Sequence, residues 1–485
     1  MSDHQSQLNN YDAIVIGTGI SGLTTSLILA KEGKKVALLE RDQDVAPLIR
    51  PYKRKGCEFS PGLHVSGWMD QREVIDSFLK YLNVDDGVEK ELHKNGLGNV
   101  VVGSKEYRIP KGFDNVEKSL LVYFPEDVEA ITNYIRMIRE VNEKSFYFNH
   151  QLGPNLNSKS EFISSTSLTL QNVMQQFNAC EDLIDLVGTL NYFLIGSKAE
   201  EVPFNVHAFV IGGFYRSPGL FTVKGINRLL SNYKRELERY GVDLFLNSEV
   251  DEIYIDNNRN VSGVKTVNGN NFFSSTLIIS FNPKLLMKKV KPHKLRPVYR
   301  ERLVEAENTC GIYVAFYEIL DSHDIEIDNL VYYNGFRDIT IAVTTNYSGT
   351  KKVLCGFLID DNKSVPTDID ERKKLATEKL ELLEKMIFNE ISGLTWLKGK
   401  TVFLDYLKPW SFERYTKTIN GSAYGIKQTI NTHGFQHRVP IKGLYMVGQA
   451  IYPGFLGSML SGFSLAFEFF KPDDFWPRVI ANEIK

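Results

Sequence analysis

Residues 12–16, Asp-Ala-Ile-Val-Ile, are an apolar run of strand length, and Gly17-Thr18-Gly19-Ile20-Ser21-Gly22 follows at once. A helical pattern over residues 23–31 stops at Gly33, and a second apolar run, residues 36–39, closes on Glu40 and Arg41. This pattern predicts strand, glycine turn, helix and strand. Residues 225–240 read as an amphipathic helix ended by Gly241. Strand-like runs follow at 242–246, 249–255, 261–267 and 276–280, with the hairpin signal Asn268-Gly269 between two of them. No charged residue lies between Lys442 and Glu468. A stretch of that length would span a bilayer. It is broken by Gly443, Gly448, Pro453, Gly454, Gly457 and Gly462, so it is read as a strand over 444–447, a glycine loop and a buried helix. Residues 76–219 and 291–424 follow neither pattern. They hold expected helices at 125–141, 167–187 and 370–391 and strands such as 311–317. No internal repeat or low-complexity tract interrupts them.

The glycine string has a chemistry. Gly17 permits the tight turn, Gly19 lets backbone approach a pyrophosphate, and Gly22 lets the helix pack closely on the strand. Amides at the helix start receive the phosphate charge. Glu40 falls about twenty residues beyond the first glycine, the spacing of a carboxylate that accepts hydrogen bonds from ribose hydroxyls. An acid there favours an unphosphorylated ribose, so FAD or NAD rather than NADP.

Composition narrows the partners. The chain has 485 residues and a net charge of -2, a balance that argues against nucleic acid. Aromatic residues are 12%, which suits either a site for a large apolar ligand or a core built from Phe and Tyr. Cys57, Cys180, Cys310 and Cys355 have no metal or redox spacing. They are expected as reduced thiols in a cytoplasmic protein, with no metal site. Residues 1–10 are polar and lack an apolar signal segment. Residues 284–300 carry Lys284, Lys288, Lys289, Lys291, Lys294, Arg296 and Arg300 without an acid, interleaved with Leu285, Leu286, Met287, Val290 and Leu295. Two readings stand: a peripheral contact with an anionic membrane, or a solvated helix and loop.

The N-terminal glycine string, the Val250-Asp251-Glu252-Ile253 and Val261-Ser262-Gly263-Val264 pieces, and Gly443-Leu444-Tyr445-Met446-Val447-Gly448-Gln449 together resemble the phytoene desaturase-like flavoproteins of the amine-oxidase-type FAD superfamily. Residues 56–67, Gly-Cys-Glu-Phe-Ser-Pro-Gly-Leu-His-Val-Ser-Gly, are similar to a stretch of the carotenoid isomerases and retinol saturases, and residues 412–416 and 421–425 to another recurrent segment. The resemblance covers residues 12–465. It implies an α/β fold: a Rossmann-like FAD-binding domain from residues 1–75, 220–290 and 425–485, interleaved with an α+β substrate domain from 76–219 and 291–424.

The resemblance also implies FAD contacts at Gly17, Gly19, Ser21, Gly22, Leu23, Glu40, Arg41 and Val250. On the C-terminal side it implies Gly448 and Gln449, and a helix starting at Gly457, Ser458 and Met459 whose amides face the flavin. It departs from the family in three places. Residues 49–55 lack the usual Gly-Gly-Arg, which leaves open whether one of their cations serves the pyrophosphate. Gln449 replaces the usual acid, and Ser60 stands where relatives carry Asp. The implied activity is FAD-dependent desaturation, saturation or isomerisation of a C–C double bond in a small apolar polyene or isoprenoid. Candidate catalytic residues are His64, Tyr215 and Arg216, with a structural role the alternative for His64. Glu413, Arg414 and Tyr415 are read as a polar cluster or an internal ion pair. Two other functions stay open: an amine oxidase, with Tyr415, Trp410 and Tyr424 as an aromatic cage, and a flavin-free prenyl-binding protein resembling the Rab GDP-dissociation inhibitors.

Overall fold

A computed structural model of the chain describes residues 10–154, 168–320, 332–336, 339–360, 365–430 and 435–481. Residues 1–9 of the polar N-terminus, and Ser167 at the start of one expected helix, lie outside them. Strand β1 (Ala13–Ile16) is buried at every position, as expected of a strand covered on both faces of a parallel sheet. Helix α1 (Ile20–Lys31) and strand β2 (Val36–Leu39) follow. Helix α2 (Val223–Arg239) leads into β3 (Asp243–Phe245), and β4 (Leu277–Ile279), β5 (Leu444–Met446) and helix α3 (Gly454–Ala466) complete this half. The five strands form one parallel sheet in the order β5-β4-β1-β2-β3. The uncharged stretch is therefore a strand, a loop and a buried helix. No helix among the described residues is long and apolar enough to cross a membrane.

Close approach fixes α1 on this sheet. A Cβ on Gly22 would lie 1.9 Å from the Gly17 carbonyl oxygen. On its other side α1 meets α3 at Gly462, where a Cβ would come within 2.9 Å of Thr24 Cγ2. α2 joins the same layer, with the Tyr233 hydroxyl 2.9 Å from Thr24 Oγ1. A three-stranded antiparallel sheet, Val250–Ile255, Val261–Thr266 and Asn271–Phe273, flanks this half. Its second turn holds Gly269 at φ 84°, the conformation the Asn-Gly signal anticipates.

The second half is a seven-stranded sheet built from residues 98–109 and 312–407. Alternation along Ile312–Ile319 explains its two faces. Val314 and Phe316 pack towards the helices Glu181–Ile195 and Phe204–Arg216, while Tyr313, Ala315 and Tyr317 pack with Leu383 and Ile387 of the covering helical segment. One expectation is corrected. The helix expected over 167–187 is two, Leu170–Gln176 and Glu181–Ile195. Asn178 takes a left-handed φ of 55° between them. The Cys180 amide donates to Asp127 Oδ1 at 2.6 Å, which holds the break. None of the four cysteines is in a disulfide.

In the basic stretch 284–300, Lys288, Lys291, Arg296 and Arg300 are exposed, and other members are drawn onto the protein. Leu286, Val290 and Leu295 are buried. Lys284 donates to the Ala306 carbonyl at 2.6 Å, Lys289 to Val250 at 2.5 Å and Lys294 to Asp256 at 2.8 Å.

Gly22→Ala drives a methyl group into backbone that has no side chain to move aside. The expected loss of stability is about 3 kcal/mol or more, read as a lower urea midpoint.

Candidate functional site

A cavity of about 590 Å³ opens between the two halves. Its polar end is built by the β1–α1 turn. Gly17 has φ 97°, and its carbonyl accepts from Ser280 Oγ at 3.0 Å. Gly19 precedes α1, and no side chain caps that helix. A Cβ on Gly19 would meet nothing closer than Ser21 Oγ at 4.0 Å. Protein packing does not demand glycine here; the space in front of it belongs to the cavity, which Gly17, Gly19 and Ser21 all line. Amides at the start of α1 and the dipole behind them favour an anion in this space.

Glu40 is buried and lines the same end. Its Oε2 accepts from the Thr18 amide at 2.8 Å and from the Thr18 hydroxyl. Its Oε1 accepts from the Asp42 amide at 2.9 Å. A carboxylate has about four acceptor positions, so one remains for a ribose hydroxyl. Arg41 donates to the Tyr415 carbonyl at 2.5 Å and pairs with Asp42 at 2.9 Å, so it ties the two halves together beside the cavity. Val250 lines the wall, and its carbonyl accepts from Lys289. Burial holds the Lys289 ammonium below the ordinary lysine range.

On the C-terminal side Gly448 (φ 108°), Gln449, Gly457 and Ser458 line the cavity. Ser461 Oγ accepts from the Gly448 amide at 2.8 Å and fixes this loop to α3. Three residues expected as contacts lie off the cavity wall. Gly22, Leu23 and Met459 are absent from the wall. Gly22 is spent on packing against Gly17, and Leu23 and Met459 are buried in the core. The helix expected to face the flavin begins earlier than at Gly457, at Gly454, so Gly457 and Ser458 belong to its second turn. The cations of residues 49–55 do not line the cavity either. Arg50 donates to the Val45 carbonyl at 3.0 Å, Arg54 pairs with Asp405 at 3.2 Å, and Lys55 donates to the Phe403 carbonyl at 2.7 Å. Ser60 donates to the Ile49 carbonyl at 3.0 Å.

The other end is apolar. Phe193, Phe209, Phe214, Ile312, Phe357 and Phe412 line it, drawn from three separate helices and two strands. The charged residues of the wall are Glu40, Arg41, Glu249, Lys288, Lys289 and Lys417. Of the candidate catalytic residues only His64 lines the cavity. Its ring meets Phe357 edge-on at 4.5 Å, and Nε2 has no partner. Burial pushes its pKa down to about 4, opposed by a hydrogen bond to the Pro61 backbone, so the imidazole is neutral near pH 7.

Tyr215 and Arg216, the other two candidates, are absent from the wall. Tyr215 belongs to a buried chain. The Asn191 amide donates to the Ser197 carbonyl at 2.5 Å, so its oxygen accepts from His207 Nδ1 at 3.0 Å. His207 Nε2 then accepts from Tyr134 at 2.8 Å, and Tyr134 accepts from Tyr215 at 3.0 Å. Each donor has one acceptor, which makes this chain a brace between helices. Arg216 is exposed and pairs with Glu73 at 2.8 Å. The aromatic trio is not assembled. Tyr424 lines the cavity, with its hydroxyl donating to the Phe193 carbonyl at 2.7 Å, whereas Trp410 and Tyr415 do not line it. No group of acidic, histidine or cysteine side chains among the described residues could hold a metal.

Residues 15–82 match a family described as an NAD(P)-binding Rossmann-like domain. The all-trans-retinol 13,14-reductase of Danio rerio is 24% identical over 279 residues, covering 53% of this chain and 45% of that protein. The chain thus spans less than half the length of that relative. The 4,4'-diaponeurosporene oxygenase of Staphylococcus aureus (strain bovine RF122 / ET3-1) is 23% identical over 483 residues, covering 91% of this chain and 94% of the other. A double mutant of putrescine oxidase has the same fold, with a TM-score of 0.65 at 15% identity over 95% of this chain and 98% of that one.

Acid should unfold the protein in a defined window. His64 and His93 titrate at about 4 and His207 at about 3, all lowered from 6.5 by burial. The unfolded chain therefore binds more protons between those values and 6.5. Stability is complete above that range and falls as pH drops through it, by about 1.4 kcal/mol per pH unit for each histidine. Urea midpoints measured from pH 7 to pH 5 should record the loss. His93, whose two ring nitrogens lack partners, should contribute a share that His93→Leu removes.

Proposed function

We propose that this chain binds FAD at the polar end of the cavity and is an oxidoreductase acting on C–C double bonds of an apolar polyene or isoprenoid at the other. The observation that carries this reading is the division of one cavity. The Glu40 carboxylate, the glycine turn and two helix starts gather at one end, and an aromatic wall stands at the other. An ammonium or carboxylate substrate would go unmatched among Phe193, Phe209, Phe214 and Phe357, and burying an unpaired charge is costly.

When bound, FAD would supply the hydride chemistry. The chain's own residues do the rest. Glu40 accepts from the ribose, the α1 amides receive the pyrophosphate, and Gly448, Gln449, Gly457 and Ser458 flank the remainder. Ser461 orients the Gly448 amide. The aromatic wall excludes water from the reacting bond. His64, neutral above pH about 4, orients and packs at neutral pH and supplies no imidazolium proton there. Desaturation, saturation and isomerisation share this arrangement.

The amine oxidase reading has the fold in its favour, but of its three cage residues only Tyr424 reaches the wall. The flavin-free reading makes no use of the free Glu40 acceptor position or of the open space at Gly19.

The purified protein should be yellow and release FAD on denaturation. Under anaerobic conditions lycopene or retinol should change the flavin spectrum, and putrescine should not. A colourless protein, or one that responds to putrescine alone, would sink the proposal. Glu40→Gln removes charge from three donors and the ribose contact together. It should weaken FAD binding by roughly tenfold to a hundredfold, read by titrating FAD into the apoprotein.

A further inference from the structure

Trp68 has the most unusual backbone on the cavity wall. Its φ is 57°, a left-handed conformation that is a genuine outlier for a bulky residue. Such conformations are unfavourable and persist only where the surroundings hold them. Here they do so from three sides. Phe148 stacks on the indole at 4.7 Å with planes 13° apart. The Arg216 guanidinium lies 5.3 Å from the ring centroid and is itself held by Glu73. Beneath the ring is Gly213, where a Cβ would lie 2.2 Å from Trp68 Cδ1.

The helix Phe204–Arg216 gives up side chains to allow this. A Cβ on Gly67 would also collide, 2.4 Å from the Gly213 carbonyl carbon. The Trp68 amide donates to the Gly213 carbonyl at 3.2 Å, so loop and helix touch backbone to backbone. The indole is 3% exposed, and its Nε1 has no partner. Two side-chain-free positions, a stacked ring and a guanidinium hold one flat ring in place despite a strained backbone and an unmatched buried donor. The site demands the ring's size and rigidity rather than its hydrogen bond.

Trp68 lines the cavity, and Phe148 behind it does not. We infer that Trp68 is the specificity-determining wall of the apolar chamber, a fixed plate that limits the length of the chain the chamber accepts. This inference rests on reading the aromatic end of the cavity as the substrate chamber.

The test compares retention of farnesol, geranylgeraniol, squalene and lycopene, in order of length, on purified flavin-loaded protein. Each probe is presented in detergent and quantified after gel filtration. Trp68→Ala opens the chamber towards Phe148 and should improve retention of the longest probes by roughly tenfold. Gly213→Ala pushes the ring inward and should weaken the longest probe the wild type accepts by a similar factor. Trp68→Phe keeps an aromatic ring against Phe148 and should fall between wild type and Trp68→Ala; it carries the comparison should Trp68→Ala fail to fold. An unchanged length order in the Trp68 and Gly213 variants, with wild-type retention intact, would overturn the role of Trp68 alone. Retention of none of the four by the wild type would overturn the chamber reading and this inference together.

Discussion

The absence of a side chain at Gly22 is the constraint on which the rest is built. Any Cβ there would meet the Gly17 carbonyl, so only glycine lets α1 lie so close to the end of β1. That closeness aims the α1 amides into the cavity. It also leaves Thr24 and Thr25 on the far side of the helix to receive α3 at Gly462. Both helices then begin at the same cleft. The turn is locked from β2, because Glu40 takes two hydrogen bonds from Thr18. The carboxylate that would recognise a ribose is therefore also the clamp that shapes the phosphate turn, and binding and folding share one group.

The two ends of the cavity obey different physics. At the nucleotide end, charge and backbone dipoles do the work in a partly polar setting. At the aromatic end the wall comes from helices and strands whose alternation turns Phe316 and Phe357 towards the helices. The ends meet where Arg41 reaches the Tyr415 carbonyl. That single contact links the nucleotide turn to the helix Pro409–Thr416, whose Phe412 belongs to the apolar wall.

What the chain made legible was whatever depends on local spacing. β1, the glycine turn and Glu40 lie within one short segment, and each residue type answers a nearby steric or electrostatic demand. The strand and helix inside the uncharged stretch were legible because glycines punctuate it. The aromatic wall was not, since Phe193, Phe214 and Phe357 meet only through tertiary packing. Tyr215 and Arg216 were misplaced for a related reason. Their position before Pro218-Gly219 says nothing about which side of a helix each residue takes, and both point away from the cavity. Trp68 went unseen, although Gly67 and the Gly212-Gly213 pair inside a helical pattern were a signal of close approach. In the basic stretch 284–300 the periodicity was visible, but the backbone carbonyls that receive its lysines were not.

The order of strands in the parallel sheet bears on how the protein is made. β1 and β4 lie side by side, as do β4 and β5, yet β5 and α3 follow β4 only after the strands of residues 312–407. A ribosome releasing the first three hundred residues has produced β1, α1 and their glycine turn without the strand and helix that face them. Contacts this distant in sequence form slowly and leave apolar surface uncovered in the meantime. The polar end of the cavity is thus completed late, and the nascent chain carries an uncovered β4 edge until β5 and α3 arrive.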